Sequence, residues 1–343
     1  MKNKFPVSLL ITDTHLHKNN VELVKKIFSQ AIEICKKNSI QNIFHLGDFF
    51  TSREAQPLFV LKEAKEILAM IASNNLKLSI IPGNHDKTNL DDELSYLDVV
   101  EKNENIFLIS QESKIEHHNL NVIFLPFFKE NGDYLRRLEN ASKMIENDKF
   151  NILLTHVGIN GVRNNDGSSV ENNIKQDLFK KFEKVCVGHY HDQQSNKNIF
   201  YIGSSYQANF GEDNIKGFTI LYSDGSHDFI KSNFPEFFKI KVNIDDKEEL
   251  KNFEKKYSNS KDNIRIVLIG DKTKLQSFNK SNFIDKGIDV KFESEEINTN
   301  IDISNQEIIL FNRSNIKDAY EKFSQINLIE DSEFGLEYLK KIL

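Results

Sequence analysis

Five times between residues 7 and 191 a short apolar run stops at a side chain that can bind a cation or carry a proton. "VSLLIT" leads into Asp13 and His15, "NIFHLG" into Asp48, and "LKLSII" into Asn84, His85 and Asp86. "FNILLT" ends at His156, and "KVCVG" leads to His189 and His191. Segments with helical spacing separate these runs; the first places Val24, Ile27, Phe28, Ala31, Ile32 and Cys35 on one face. Helices are likewise expected around 57–73, 91–102 and 133–147. Strands alternating with helices predict an α/β layered fold. In such a fold the carboxyl ends of the strands converge on one crevice. So many polar tips gathered at one edge are costly to arrange for packing alone.

The chain is long enough, at 343 residues, for one large core and a smaller second one. Past "NIFLIS", "KIEHH" and "NVIFLPF", the stretch "IFYIGSS", "GFTILYS" and "SHDFIKS" reads as strand after strand, an antiparallel flank. After Pro235 the rhythm restarts as strand, helix, strand, helix, strand, with helices expected at 246–257 and 272–283. The expected organisation is a core over 1–235, a small α+β domain over 236–300, and a polar linker with two short amphipathic helices over 301–343. In that tail Ser314 is placed to cap a helix carrying Ile316, Ala319, Tyr320 and Phe323 on one face. Phe334, Tyr338 and Ile342 repeat the stripe.

Composition narrows the function. A net charge of -6 without any polybasic run argues against a free-standing, non-specific polyanion binder. Bound divalent metals and a local basic surface still leave room for a nuclease. The two cysteines, Cys35 and Cys186, lie far apart and read as buried thiols rather than a disulfide framework. The opening "MKNKFPVSLLITDTH" meets Asp13 without a small-residue cleavage site, and no run approaches the ~18 apolar residues of a membrane span. A soluble cytoplasmic protein is expected, without a membrane partner.

The residue types at the strand ends suit a pair of metal ions. Carboxylate and amide oxygens with imidazole nitrogens fit manganese, iron or zinc, and the lack of thiolates disfavours a structural zinc site. Asp48 would sit between two ions and bridge them. Ions about 3.5–4 Å apart can clamp a phosphoryl group and activate water. Taken alone, "GHYH" leaves two readings open: a strand end with one histidine facing each way, or two metal ligands.

Together, D-x-H, G-D, G-N-H-D, H and G-H-x-H in that order resemble the signature of the calcineurin-like metallophosphoesterases. The resemblance implies a four-layer α/β/β/α core. Carried over by position, it assigns Asp13, His15, Asp48 and His191 to one ion and Asp48, Asn84, His156 and His189 to the other. His85 would face the scissile phosphate as a catalytic group, with Asp86 orienting it. "YIGSSYQANFGEDNIKGFTIL" (201–221) further resembles the SbcD family, nuclease subunits of double-strand-break repair complexes in bacteria and phages. That implies a DNA exonuclease and endonuclease using two divalent ions, with manganese expected. It also implies a homodimer bound to an SbcC-type SMC-like ATPase, a DNA-capping domain at 236–300, and a tail that docks on the ATPase. The chain carries no phosphate loop of its own. Thr51 departs from the histidine or aspartate many relatives carry, which leaves the balance of exonuclease and endonuclease action open. A phosphoesterase acting on small esters, or a nuclease-silent scaffold for the ATPase, are the alternative readings.

Overall fold

The computed structural model describes residues 4–294 apart from 100–103, 118 and 166, together with Tyr320, Ser324 and Leu336. The linker and tail expected at 301–343 lie outside the described residues apart from those three positions.

The chain begins β1 (Pro6–Ile11), α1 (Val21–Lys37), β2 (Asn42–His45), α2 (Leu58–Ser73), β3 (Lys77–Ile80) and β4 (Ile106–Leu108). It continues β5 (Ser113–His117), β6 (Leu120–Leu125), α3 (Tyr134–Ser142), β7 (Phe150–His156) and β8 (Lys184–Gly188). Then come β9 (Gln194–Asn196), β10 (Ile199–Tyr201), β11 (Gly217–Tyr222) and β12 (His227–Lys231). Two six-stranded sheets result, ordered β12-β11-β1-β2-β3-β4 and β5-β6-β7-β8-β10-β9.

The central strands β1, β2, β6, β7 and β8 are apolar on both faces because both faces are covered. In β6, Val122 and Phe124 join the layer between the sheets while Ile123 and Leu125 pack beneath α3. In β8, Cys186 faces the other sheet while Val185 and Val187 face the helix side. On the first sheet Leu9 and Ile11 meet Val24, Ile27 and Phe28 of α1, and Leu10 and Phe44 point inward. Helices thus cover the outer face of each sheet, giving the α/β/β/α order. β1, β2 and β3 run parallel, as do β7 and β8, so within each sheet their carboxyl ends share one edge.

Several expectations are corrected. Among the described residues no α-helix spans 91–102; Tyr96–Val99 form a short 3-10 turn. There the Asp98 side chain accepts from the backbone N–H of Ser95, which competes with helical bonding. The expected antiparallel flank is divided: β11 and β12 close the first sheet antiparallel to β1, whereas β10 lies parallel to β8 in the second. The short β9, which the sequence pattern does not reveal, pairs with β10.

Residues up to Glu293 form one compact unit. Within it β13 (Phe237–Asn243), α4 (Lys247–Tyr257), β14 (Asn263–Gly270), α5 (Lys272–Ser277), α6 (Ser281–Ile284) and β15 (Ile288–Ser294) build a third sheet with its own apolar cluster. Asp246 and Asp271 cap α4 and α5 through their carboxylates. The helix expected over 272–283 is two short ones, because Phe278 turns to extended backbone and Asn279 accepts from the Ser281 N–H. Among the described residues no helix is long and apolar enough to cross a membrane.

Candidate metal centre

The loops leaving β1 and β2 are tied to each other by their backbones. Asp13 N–H donates to Gly47 O at 3.0 Å, and His15 N–H donates to Asp48 O at 3.0 Å. Holding them so requires left-handed backbone at Asp13 (φ 53), His15 (φ 45) and Asp48 (φ 54), and His189 also has φ 94. Such conformations cost non-glycine residues energy and persist where the surroundings enforce them. Two glycines give the side chains room. A Cβ on Gly47, itself at φ +94, would lie 2.5 Å from His156 Nδ1, and one on Gly83 would overlap Asp48 Oδ1.

Two clusters result. Single ligand atoms of Asp13, His15 and His191 lie within 4.8 Å of one another, and the same holds for Asp48, His156 and His189. His15 Nε2 and His191 Nε2 are 3.0 Å apart, with Asp13 Oδ1 3.7 Å from the first and 3.9 Å from the second. In the other cluster Asn84 Oδ1 lies 2.9 Å from His189 Nδ1 and 3.1 Å from His156 Nε2. Asp48 Oδ2 faces both, at 3.3 Å from His156 Nε2 and 3.8 Å from His15 Nε2. All seven residues expected as ligands are thereby brought together.

This donor set fits divalent cations. Asp13 Oδ1 is buried with no hydrogen-bond partner, a costly state that a cation relieves. Burial, with neighbouring imidazoles, lowers His15 to about 4 and His189 to about 3, so both are neutral with a lone pair to offer. Burial works against a charged His156, yet the Asp48 carboxylate outweighs it and raises that ring to about 9. Burial likewise opposes charge on Asp48, but His156, His15 and His85 hold its carboxyl well below the usual range. The pocket thus draws positive charge to Asp48. The thiols stay out of it: Cys35 and Cys186 sit in apolar layers, where burial pushes both up to about 12.

Above the clusters opens a cleft of about 430 Å³. His85 lines it, with its backbone N–H on Asp48 Oδ1 at 2.8 Å and its ring Nδ1 2.5 Å from Thr51 O. Asp86, expected to orient His85, is not bonded to its ring. Its buried carboxylate accepts instead from the backbone N–H groups of Gly83, Phe49 and Phe50, clamping the β2 and β3 loops. Three residues that the sequence pattern does not single out take part. Arg53 Nη2 lies 3.3 Å from His85 Nε2, and among the described residues lining the cleft Arg53 is the one Arg or Lys. Asn165 Oδ1 accepts from His191 N–H, and Glu212 Oε1 lies 2.8 Å from His191 Nδ1. Glu212 stands in the F-G-E of residues 210–212, but no periodicity reveals that a residue 21 positions after His191 returns to it. Of the other described histidines, His17 lines the cleft, His45 is buried against Phe28 and meets Thr14 Oγ1 at 3.1 Å, and the His227 ring stacks on Phe200.

A family model described as the calcineurin-like phosphoesterase superfamily domain matches residues 8–220. The chain is similar to exonuclease subunit 1 of Enterobacteria phage T4, 25% identical over 211 residues that cover 60% of each chain. It is also similar to the SbcD component of the nuclease SbcCD from Staphylococcus epidermidis, 29% identical over 248 residues, covering 61% of this chain and 64% of that one. A third relative, the DNA double-strand break repair protein Mre11 of Saccharolobus solfataricus, is 25% identical over 227 residues, covering 61% of this chain and 56% of that one. The chain spans less than two thirds of the length of each of these three.

Proposed function

The chain belongs to the calcineurin-like phosphoesterase superfamily, and on that premise we propose that it hydrolyses phosphodiester bonds in DNA with two divalent cations, manganese first among them. Asp13, His15, Asp48 and His191 would hold one ion, and Asp48, Asn84, His156 and His189 the other. The observation that carries this reading is Asp48 Oδ2, one carboxylate oxygen turned to His156 of one cluster and His15 of the other. When bound, such a pair of ions polarises the phosphodiester and activates water.

The protein's own groups supply the rest. A carbonyl oxygen only accepts, so His85 Nδ1 bears the proton shared with Thr51 O. Nε2, which accepts from Arg53 in this geometry, is the nitrogen turned to the cleft; once Arg53 moves to the phosphate, a proton taken up there from water is the one His85 would pass to the departing oxygen. Arg53, beside that nitrogen, brings a fixed positive charge to where a phosphate would lie. Asp86 keeps the His85 loop in register with the Asp48 loop.

DNA as substrate is supported by the relatives, one named an exonuclease subunit, one a nuclease subunit and one a double-strand-break repair protein. Two of those names denote subunits, and we extend the reading to an SbcC-type ATPase partner and a homodimer. The test is cleavage of linear duplex and single-stranded DNA in manganese, with bis(p-nitrophenyl) phosphate as a small diester. The expected result is DNA cleavage that a chelator abolishes. Turnover of the small diester with DNA left intact, with or without the ATPase, would favour a phosphoesterase of small substrates instead.

A further inference from the structure

We propose that Glu212 is the positioning residue of the Asp13–His15–His191 cluster, fixing the His191 ring so that Nε2 is presented to that ion and lending the ion a nearby negative charge. The proposal rests on the two-ion reading above and adds to it an asymmetry between the two sites.

The Glu212 side chain is 1% exposed, and each of its oxygens has two partners. Oε1 lies 2.8 Å from His191 Nδ1 and accepts from Asn209 Nδ2 at 2.8 Å. Oε2 accepts from Ala208 N–H at 3.0 Å and lies 3.3 Å from Lys216 Nζ. Burying a carboxylate this deeply is costly unless it is fully bonded, and here it is. An ionised carboxylate has no hydrogen to give, so His191 Nδ1 must be the donor. With Nδ1 committed to Glu212, Nε2 is the nitrogen left to meet an ion, and it lies 3.0 Å from His15 Nε2 and 3.9 Å from Asp13 Oδ1. The fold sets which nitrogen that is.

The other cluster is backed differently. His156 Nδ1 is 2.7 Å from the backbone carbonyl of Leu46, a neutral acceptor. Partners behind a ligating histidine orient the ring and raise its basicity, and a charged one does so more strongly. Lys216 does not depend on Glu212 alone, since it also donates to His191 O at 2.7 Å and Asp192 Oδ1 at 2.8 Å.

Glu212→Gln tests this. The amide keeps the shape and loses the charge, and its NH2 must face either His191 Nδ1 or the Ala208 N–H and Lys216 donors. Metal-free Glu212→Gln and wild type are titrated with Mn2+, reading affinities by calorimetry and ion pairing by electron paramagnetic resonance. The expected result is one ion weakened by roughly 10–100-fold with the second unchanged, and the spin-coupled signal of the pair giving way to that of an isolated ion. Glu212→Asp, which keeps the charge, is expected to recover part of the loss. Two ions bound at wild-type affinities would overturn the proposal. So would equal weakening of both ions with a lowered melting temperature of the metal-free protein, since that marks a purely structural role. A wild-type chain that binds no pair would overturn the two-ion reading itself and this inference with it.

Discussion

His85 is held through a bond that only one of its tautomers can make, and that leaves its other nitrogen at the cleft beside Arg53. Because its ring belongs to neither ligand cluster, His85→Ala is expected to retain both ions and lower DNA cleavage by roughly 100-fold or more, the scale of losing a proton-transfer group. Elemental analysis and cleavage rates on one preparation check this; full activity with both ions bound would remove His85 from the chemistry. Thr51 acts twice, its carbonyl holding His85 and its hydroxyl donating to His15 O at 2.5 Å. Thr51→His breaks the second bond and adds an imidazole at the cleft, and is expected to shift the ratio of exonuclease to endonuclease products. An unchanged ladder on end-labelled duplex would speak against it. The residues gathered at the strand ends were legible in the sequence because each follows an apolar run that must end where the sheet ends. Arg53 and Glu212 were not, because loops carry them to the site and loop paths follow no period.

At the scale of elements, the alternation of strands and helices was readable wherever side chains are buried on both strand faces or on one helix face. It failed where local polar bonds took over. The apolar residues of 91–102 do not share one buried face: Leu97 is buried, while Leu94 and Val99 are 66% and 68% exposed. Without such a face, the Asp98 cap on Ser95 decides the conformation. Helix α3 stops at Ser142, short of the expected 147, as Asn151 takes up both the N–H and the C=O of Glu146. The partition of β10 and β11 between two sheets depends on long-range pairing, which no local pattern encodes. The β2 turn offers a direct test of how closely backbone and site are linked. Gly47→Ala places a Cβ at left-handed φ and 2.5 Å from His156 Nδ1. The backbone alone costs about 1–2 kcal/mol. A melting temperature lowered by a few degrees is expected, together with loss of the ion at the Asp48–His156–His189 cluster. Calorimetry with metal analysis reads both; an unaltered ion content would show that the His156 ring adapts.

At the scale of the whole molecule, two sheets supply one site: Asp13, Asp48 and Asn84 follow strands of the first, and His156 and His189 belong to the second. Neither sheet completes a cluster alone, so the packing between the sheets is what sets the metal geometry. The tail beyond Phe311 lies outside the described residues at all but three positions. If the proposed ATPase partner docks on this tail, a chain ending at Phe311 is expected to stay folded and metal-loaded, keep its ATP-independent cleavage, and no longer co-purify with that ATPase. Complex formation at wild-type affinity would assign the tail to packing. The central claim is the shared carboxylate, and the measurement that tests it most directly is the Mn2+ stoichiometry of wild type beside Asp48→Ala. Two ions per wild-type chain and at most one per Asp48→Ala chain are predicted, whereas two ions retained at normal affinity without Asp48 would contradict the account.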